Sequence, residues 1–298
     1  MSYRLGIDLG GTKIEAVIID EQFQVVKRER VPTNRDDGYE AIIERIITLS
    51  KSMIVGYEEF EGPIGICTPG TIEAETGLLK NSNTVCLIGK PIQKDMESQL
   101  GIPVLMENDA NCFALAEATL GAGKKYNVVF GVILGTGCGG GITMLKNIHR
   151  GANRIAGEWG HHCLYPEGRK CYCGNRGCLE AYISGTALEK EWYELTGEKH
   201  RVTDIIDTGM HEKHPEWKAN FLKNFGRGLA NVIDILDPHA IVLGGGLSKI
   251  DFLYTEGKDS VYKETFSKIV RTPILKLSLI HISEPTRPLY ISYAVFCL

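Results

Sequence analysis

The chain has 298 residues, too many for one small core and enough for one large or two medium domains. Hydrophobic residues make up 43% and charged residues 23%, and a net charge of -4 supplies no basic field for nucleic acid or an anionic membrane surface. Met1 to Arg4 leads straight into an apolar stretch with no leader pattern, and no apolar run is long enough to span a bilayer, so the expectation is a cytoplasmic protein with no membrane partner.

In chain order, Arg4 to Asp8 and Lys13 to Ile19 are short apolar runs around Gly10-Gly11-Thr12, which predicts a β-hairpin with a glycine-rich tip. A third strand is expected near Val25 to Val31. Tyr39 to Met53 carries Ile42, Ile43, Ile46, Ile47 and Leu49, a helical stripe that would cover one face of the sheet. Ile64 to Cys67 and Val104 to Met106 read as buried strands, with a polar helix near Gln93 to Leu100 between them. The order is β-β-β-α-β-α-β, an α/β pattern. It begins again at Asn127 to Leu134, before a second glycine turn at Gly135 to Gly141. Gly6-Ile7-Asp8-Leu9-Gly10 lines up with Gly131-Val132-Ile133-Leu134-Gly135, so the halves read as a distant internal duplication in which Ile133 replaces Asp8. A long helix follows, with Leu222, Phe225, Leu229, Val232, Ile233 and Leu236 on one side and a stop at Asp237-Pro238. Ala240 to Leu243 is a buried strand that ends on Gly244-Gly245-Gly246.

Glycines after strands let backbone N–H groups approach an anion closely, although a plain glycine hairpin explains any one of them equally well. Three such turns favour a nucleotide, and the absence of G-x-x-x-x-G-K-[ST] excludes a P-loop. Two readings fit Asp109, which follows a strand and opens a helical segment. It either caps that helix or takes a proton from a substrate hydroxyl that attacks phosphorus. Asn108 beside it could bond the same substrate.

His161, Cys171, Cys173 and Cys178 lie within eighteen residues, punctuated by Gly168, Gly174 and Gly177. A core histidine among buried thiols is the plainer reading. The spacing and the turns favour tetrahedral zinc, and with four protein ligands the metal would be structural. Cys67, Cys86, Cys112, Cys138 and Cys163 show no clustering and read as small apolar residues. Glu158 and Glu180 flank the knuckle and could grip hydroxyl groups.

Asp8-Leu9-Gly10-Gly11-Thr12-Lys13, Glu107-Asn108-Asp109-Ala110-Asn111, Leu134-Gly135-Thr136-Gly137, the Glu158/Gly160/His161 group and the Cys171-to-Glu180 knuckle together resemble the ROK (repressor, open reading frame, kinase) sugar kinases, from about Tyr3 to Lys276. The resemblance implies an actin-like ATPase (ribonuclease H-like) fold, two duplicated α/β domains around a cleft, at 1–120 and 121–276. It implies ATP and Mg²⁺ as cofactors with structural Zn²⁺, a hexose substrate and a homodimer. Carried over by position, Asp109 is the catalytic base, acting on a hydroxyl such as the one at C6. Gly70, Asn83, Asn108, Glu158, His161 and Glu180 surround the sugar. Asp8, Gly10, Gly11, Thr12 and Lys13 face the phosphates and Mg²⁺, Gly135, Thr136 and Gly137 hold the phosphate tail, and Gly244, Gly245 and Gly246 lie near the adenosine. Gly135 to Gly139, Gly157 to His161 and Ile183 to Thr186 look most like the bacterial fructokinase (mannokinase) branch, with N-acetylhexosamine kinase or glucokinase as the alternative. A sugar-responsive ROK regulator is disfavoured, because Asp8 comes too early for a preceding helix-turn-helix.

After Lys276 the family pattern stops. Leu277 to Arg287 is similar to the translation of a transposase adapter used in sequencing libraries, and Ile291 to Leu298 to that of the adjoining flow-cell adapter. The expectation is that 277–298 is a non-native tail whose apolar end favours aggregation.

Overall fold

A computed structural model describes residues 3–57, 60, 62–82 and 84–278. The first elements are β1 (Arg4–Leu9), β2 (Lys13–Ile19), β3 (Val25–Pro32), α1 (Tyr39–Ile54), β4 (Ile64–Thr68), the short pair β5 (Thr71–Ile72) and β6 (Leu79–Lys80), α2 (Ile92–Leu100), β7 (Val104–Asn108) and α3 (Asp109–Thr119). Five strands make one sheet in the order β3-β2-β1-β4-β7. β1 runs antiparallel to β2 and parallel to β4, which runs parallel to β7.

The rest of the chain supplies β8 (Val128–Leu134), β9 (Cys138–Met144), β10 (Asn147–Ile148), α4 (Glu180–Ile183), α5 (Gly185–Thr196), α6 (Val202–Asp207), α7 (Pro215–Leu236), β11 (Ala240–Gly244), α8 (Glu256–Glu264) and β12 (Ile274–Lys276). Its sheet repeats the order, β10-β9-β8-β11-β12, with the same antiparallel and parallel pairings. The duplication read from the sequence therefore extends to strand topology. Each sheet anchors one compact unit: among the described residues, one holds those up to Ala116 together with Gly151–Ile155, the other holds Glu117–Arg150 and those from Ala156 onward.

Central strands are apolar on both faces because helices cover them. Leu5, Ile7, Leu9, Ile64 and Ile66 are buried, and Ile42, Ile43, Ile46 and Met53 of α1 pack on them. The outer strand β3 instead carries Lys27, Arg28, Glu29 and Arg30, charges that guard an open edge against pairing with another chain. In the other unit α7 starts with Pro215 in its first turn and ends where Asp237 adopts φ 46 and donates its N–H to Ile233 O. Its core face is Trp217, Phe221, Phe225, Leu229 and Ile233, at four-residue spacing. Leu222, Val232 and Leu236, expected on the core side, are only partly buried, because they flank the stripe that Trp217, Phe221, Phe225, Leu229 and Ile233 place at the centre.

In both units the parallel strands deliver their carboxyl ends to the same edge of the sheet, where α/β folds bind ligands. β1 ends at Gly10, β4 leads to Gly70, and β7 leads to Asp109. β8 ends at Gly135, and β11 ends on Gly244. Of the expected tail, Leu277 is buried and donates its N–H to Leu243 O at 3.1 Å, which lengthens the β12 edge. Residues 279–298 lie outside the described residues.

Candidate active site

Register brings the acidic residues of the first unit together. Asp8 pairs with Cys67 across β1 and β4, and Cys67 pairs with Glu107 across β4 and β7, two residues before Asp109. The free N–H groups at the start of α3 need an acceptor. Asn108 supplies most of it, since its Oδ1 accepts from Ala110 N–H at 2.9 Å and Asn111 N–H at 3.3 Å. Asp109 Oδ1 also accepts from Ala110 N–H, at 2.8 Å, so capping does not depend on Asp109 alone. Asn108 Nδ2 donates to Gly70 O at 3.2 Å. Gly70 has φ 102, and a side chain there would meet Lys80 O at 2.6 Å, so only glycine fits. Asn83, the remaining expected sugar contact of this unit, lies outside the described residues.

Desolvation, followed by the Asp109 charge, lifts the Asp8 carboxyl from 3.8 to about 7, against a Cys67 thiol that donates to Asp8 Oδ1 at 3.5 Å. Two carboxyls that raise each other's energy when charged suit a cation, and the donor set fits Mg²⁺, which takes oxygen ligands. Between its unfolded value near 3.8 and about 7 the folded chain holds a proton that the unfolded chain has lost, so stability falls as pH rises through that window. Asp8→Asn is therefore expected to raise the melting temperature at pH 8, by on the order of a few degrees, and to leave it unchanged at pH 4. Thermal melts at the two pH values check this. Lys13 of the same turn donates from Nζ to Glu15 Oε2 at 2.8 Å, beside Arg30 on the same oxygen.

In the second unit the turn after β8 is shorter, with Gly135 N–H donating to Gly137 O at 3.0 Å. Gly139 to Gly141, expected as part of that turn, belong to β9. Trp159 is the cause: its Nε1–H donates to Gly139 O at 2.9 Å, and a side chain on Gly140 would meet its Cδ1 at 2.6 Å. These glycines serve close packing of the Gly157 to His161 segment, not an anion. Gly245, after β11, has φ 84 and packs against the Leu134 carbonyl, so the Gly244 to Gly246 turn adjoins the Gly135 turn.

Glu180 opens α4, is buried, and its Oε2 accepts Cys138 N–H at 2.8 Å. Burial raises the Glu158 carboxyl, the His161 charge opposes, and the Glu180 charge adds to the rise. Burial, then Glu180, also pushes the Tyr172 hydroxyl up to about 12. Glu158, Glu180, His161 and Tyr172 thus share one electrostatic neighbourhood.

His161, Cys171, Cys173 and Cys178 are brought together as expected, with their ligand atoms all within 4.8 Å of one another. Cys173 Sγ and Cys178 Sγ are 3.6 Å apart, and Cys171 Sγ lies 3.7 Å from His161 Nδ1. Those are near the edges of a tetrahedron with zinc–ligand bonds of about 2.0–2.3 Å, so the residues fit zinc. His161 Nε2 faces away from the thiols and meets the Tyr172 hydroxyl at 3.1 Å. A separate groove of about 680 Å³ is lined by Tyr165, Arg169, Tyr182, Glu191, Asn220 and Lys223, among others, and contains none of the expected site residues. Its arginine is already paired with Glu191 at 3.1 Å.

Three comparisons bear on this arrangement. The model of the ROK family matches residues 4–282. The N-acetyl-D-glucosamine kinase of Vibrio cholerae is 39% identical over 277 residues, which cover 88% of this chain and 90% of that relative. Among solved structures, a ROK hexokinase from Thermus thermophilus is 27% identical with a TM-score of 0.85, covering 99% of this chain and 97% of that one. A ROK family glucokinase from Streptomyces griseus, solved with glucose and AMPPNP, is 25% identical with a TM-score of 0.78, covering 98% of each chain.

Proposed function

This chain belongs to the ROK family of sugar kinases and has their actin-like ATPase fold, and on that premise we propose that it phosphorylates N-acetyl-D-glucosamine with ATP. The observation that carries the choice of sugar is the 39% identity to an N-acetyl-D-glucosamine kinase over nearly the whole of both chains. It favours the alternative sugar over the fructose that the loop motifs suggested, because overall identity samples the whole pocket wall and those motifs sample three short turns.

In this reading Asp109 accepts the proton of the attacking hydroxyl, at C6 of the sugar. A new oxygen–phosphorus bond forms at the γ-phosphorus, the bond to the β,γ-bridging oxygen breaks, and ADP leaves. Asn108 and Gly70, joined by their hydrogen bond at 3.2 Å, and Glu158, His161 and Glu180 orient sugar hydroxyls. Asn83 has the same role by family position. The backbone N–H groups of the Gly10 to Lys13 turn and of Gly135 to Gly137 receive phosphate oxygens, and Gly244 to Gly246 leave room for the nucleoside. Mg²⁺, held by Asp8, would neutralise phosphate charge. Zinc on His161, Cys171, Cys173 and Cys178 would supply structure alone, because the protein fills all four positions. Positioning and charge stabilisation, not covalent chemistry, account for the rate.

A coupled ADP-release assay across N-acetylglucosamine, N-acetylmannosamine, glucose, mannose and fructose tests the assignment. N-acetylglucosamine is expected to give a kcat/KM at least about ten-fold above the others, the worth of one well-placed polar contact. Fructose or glucose in first place would overturn the choice of sugar.

A further inference from the structure

Neither glycine turn is held by its own residues alone. The turn after β1 is tied to Thr33, just beyond β3: Thr33 Oγ1 donates to Gly10 O at 2.6 Å, and Thr33 N–H donates to Thr12 O at 3.0 Å. The turn after β8 is tied to the first turn of α5. There Ser184 Oγ caps the helix by accepting Ala187 N–H at 3.2 Å, which leaves the two N–H groups before Ala187 to find other acceptors. Gly185 N–H donates to Gly135 O at 2.7 Å, and Thr186 N–H points at Thr136 O at 3.4 Å. Thr186 Oγ1 donates to the same Thr136 oxygen at 3.0 Å. A side chain on Gly185 would meet Gly135 O at 2.8 Å, so this approach needs glycine. Both turns thus have their carbonyls drawn to one side by a threonine that contributes its hydroxyl and its N–H.

The consequence lies in peptide geometry. In a trans peptide the C=O and N–H point in opposite directions. Pulling Gly135 O and Thr136 O toward α5 therefore turns Thr136 N–H and Gly137 N–H the other way, and neither donates to a backbone acceptor among the described residues. Pulling Gly10 O toward Thr33 turns Gly11 N–H away in the same manner. A threonine clamp converts a loose glycine turn, which samples many conformations, into a fixed pair of donors.

We propose that Thr33 and Thr186 are positioning residues of the two phosphate turns, a device duplicated with the fold, and that each acts on the nucleotide and not on the sugar. The proposal rests on the nucleotide reading of those turns given above. Thr186 is the better probe, because it is exposed and its hydroxyl can be removed without opening the core, whereas Thr33 is fully buried.

The test measures MgADP affinity by calorimetry, and KM for ATP and for N-acetylglucosamine, on wild type, Thr186→Val and Thr186→Ser. Loss of one hydrogen bond to a turn carbonyl predicts about a five-fold weaker MgADP affinity and a matching rise in KM for ATP in Thr186→Val. KM for the sugar stays within error, and Thr186→Ser restores the wild-type values. Unchanged nucleotide affinity in Thr186→Val, or an equal rise in both KM values, overturns the proposal. So does failure of Thr186→Ser to restore affinity. Wild-type protein that binds no MgADP would overturn both this proposal and the nucleotide reading beneath it, whereas normal binding with unchanged affinity in Thr186→Val would overturn the clamp alone.

Discussion

Asp109→Asn is expected to lower turnover by about 10²–10⁴-fold, the usual contribution of a positioned general base, with sugar affinity kept within a few-fold. The fold should survive the change for a local reason. Asn108 already caps α3 through Ala110 and Asn111, and an asparagine oxygen at 109 can still accept the Ala110 N–H. The variant also removes the charge that helps lift Asp8, so the neighbouring carboxyl should ionise more readily. Turnover with N-acetylglucosamine, together with sugar binding by calorimetry, separates the two effects. Turnover near the wild-type value would reduce Asp109 to a second helix cap.

Cys178→Ser is expected to have the other large effect, on metal content, stability and activity together. Cys178 is buried, and burial first, then the neighbouring Cys173 and Cys171, push its thiol up to about 12, so ionised sulfur at this position calls for a bound cation. The next residues are Leu179, fully buried, and Glu180, whose carboxylate holds Cys138 N–H at 2.8 Å. Loss of the metal therefore propagates within two residues to the glycine turn at Gly135. Metal analysis should find one zinc per chain in wild type and none in the variant. The melting temperature should fall by roughly 5–10 °C, in line with removal of a structural metal from a chain of this size. Equal metal content in both proteins, or a zinc-free wild type of full activity, would contradict the structural-zinc reading.

Much of this architecture is legible in the sequence because period-two and helical apolar patterns depend on local geometry, and the glycines mark where strands stop. The repeat of β-β-β-α-β-α-β in the second half is visible for the same reason. Other features depend on contacts between distant residues. Asp8 and Asp109 influence each other only through the register of β1, β4 and β7, which no local pattern encodes. Gly139 to Gly141 look like an extension of the phosphate turn, yet they make room for Trp159, a residue eighteen or more positions later in the chain. Thr33 carries no signal of its own, and Thr186 stands out only as the end of the Ile183 to Thr186 segment, with nothing local to say what its hydroxyl bonds. The core face of α7 shifts from the expected one because Trp217 and Phe221 outweigh the aliphatic residues in buried area.

The central claim is that this chain moves a phosphoryl group from ATP to a hexose. ³¹P NMR of a mixture of the protein, MgATP and N-acetylglucosamine tests it directly. One new phosphomonoester signal is expected, growing in step with ADP and coupled to the C6 protons of the sugar. Release of ADP and inorganic phosphate without a sugar phosphate, or no consumption of ATP with any hexose, would contradict it.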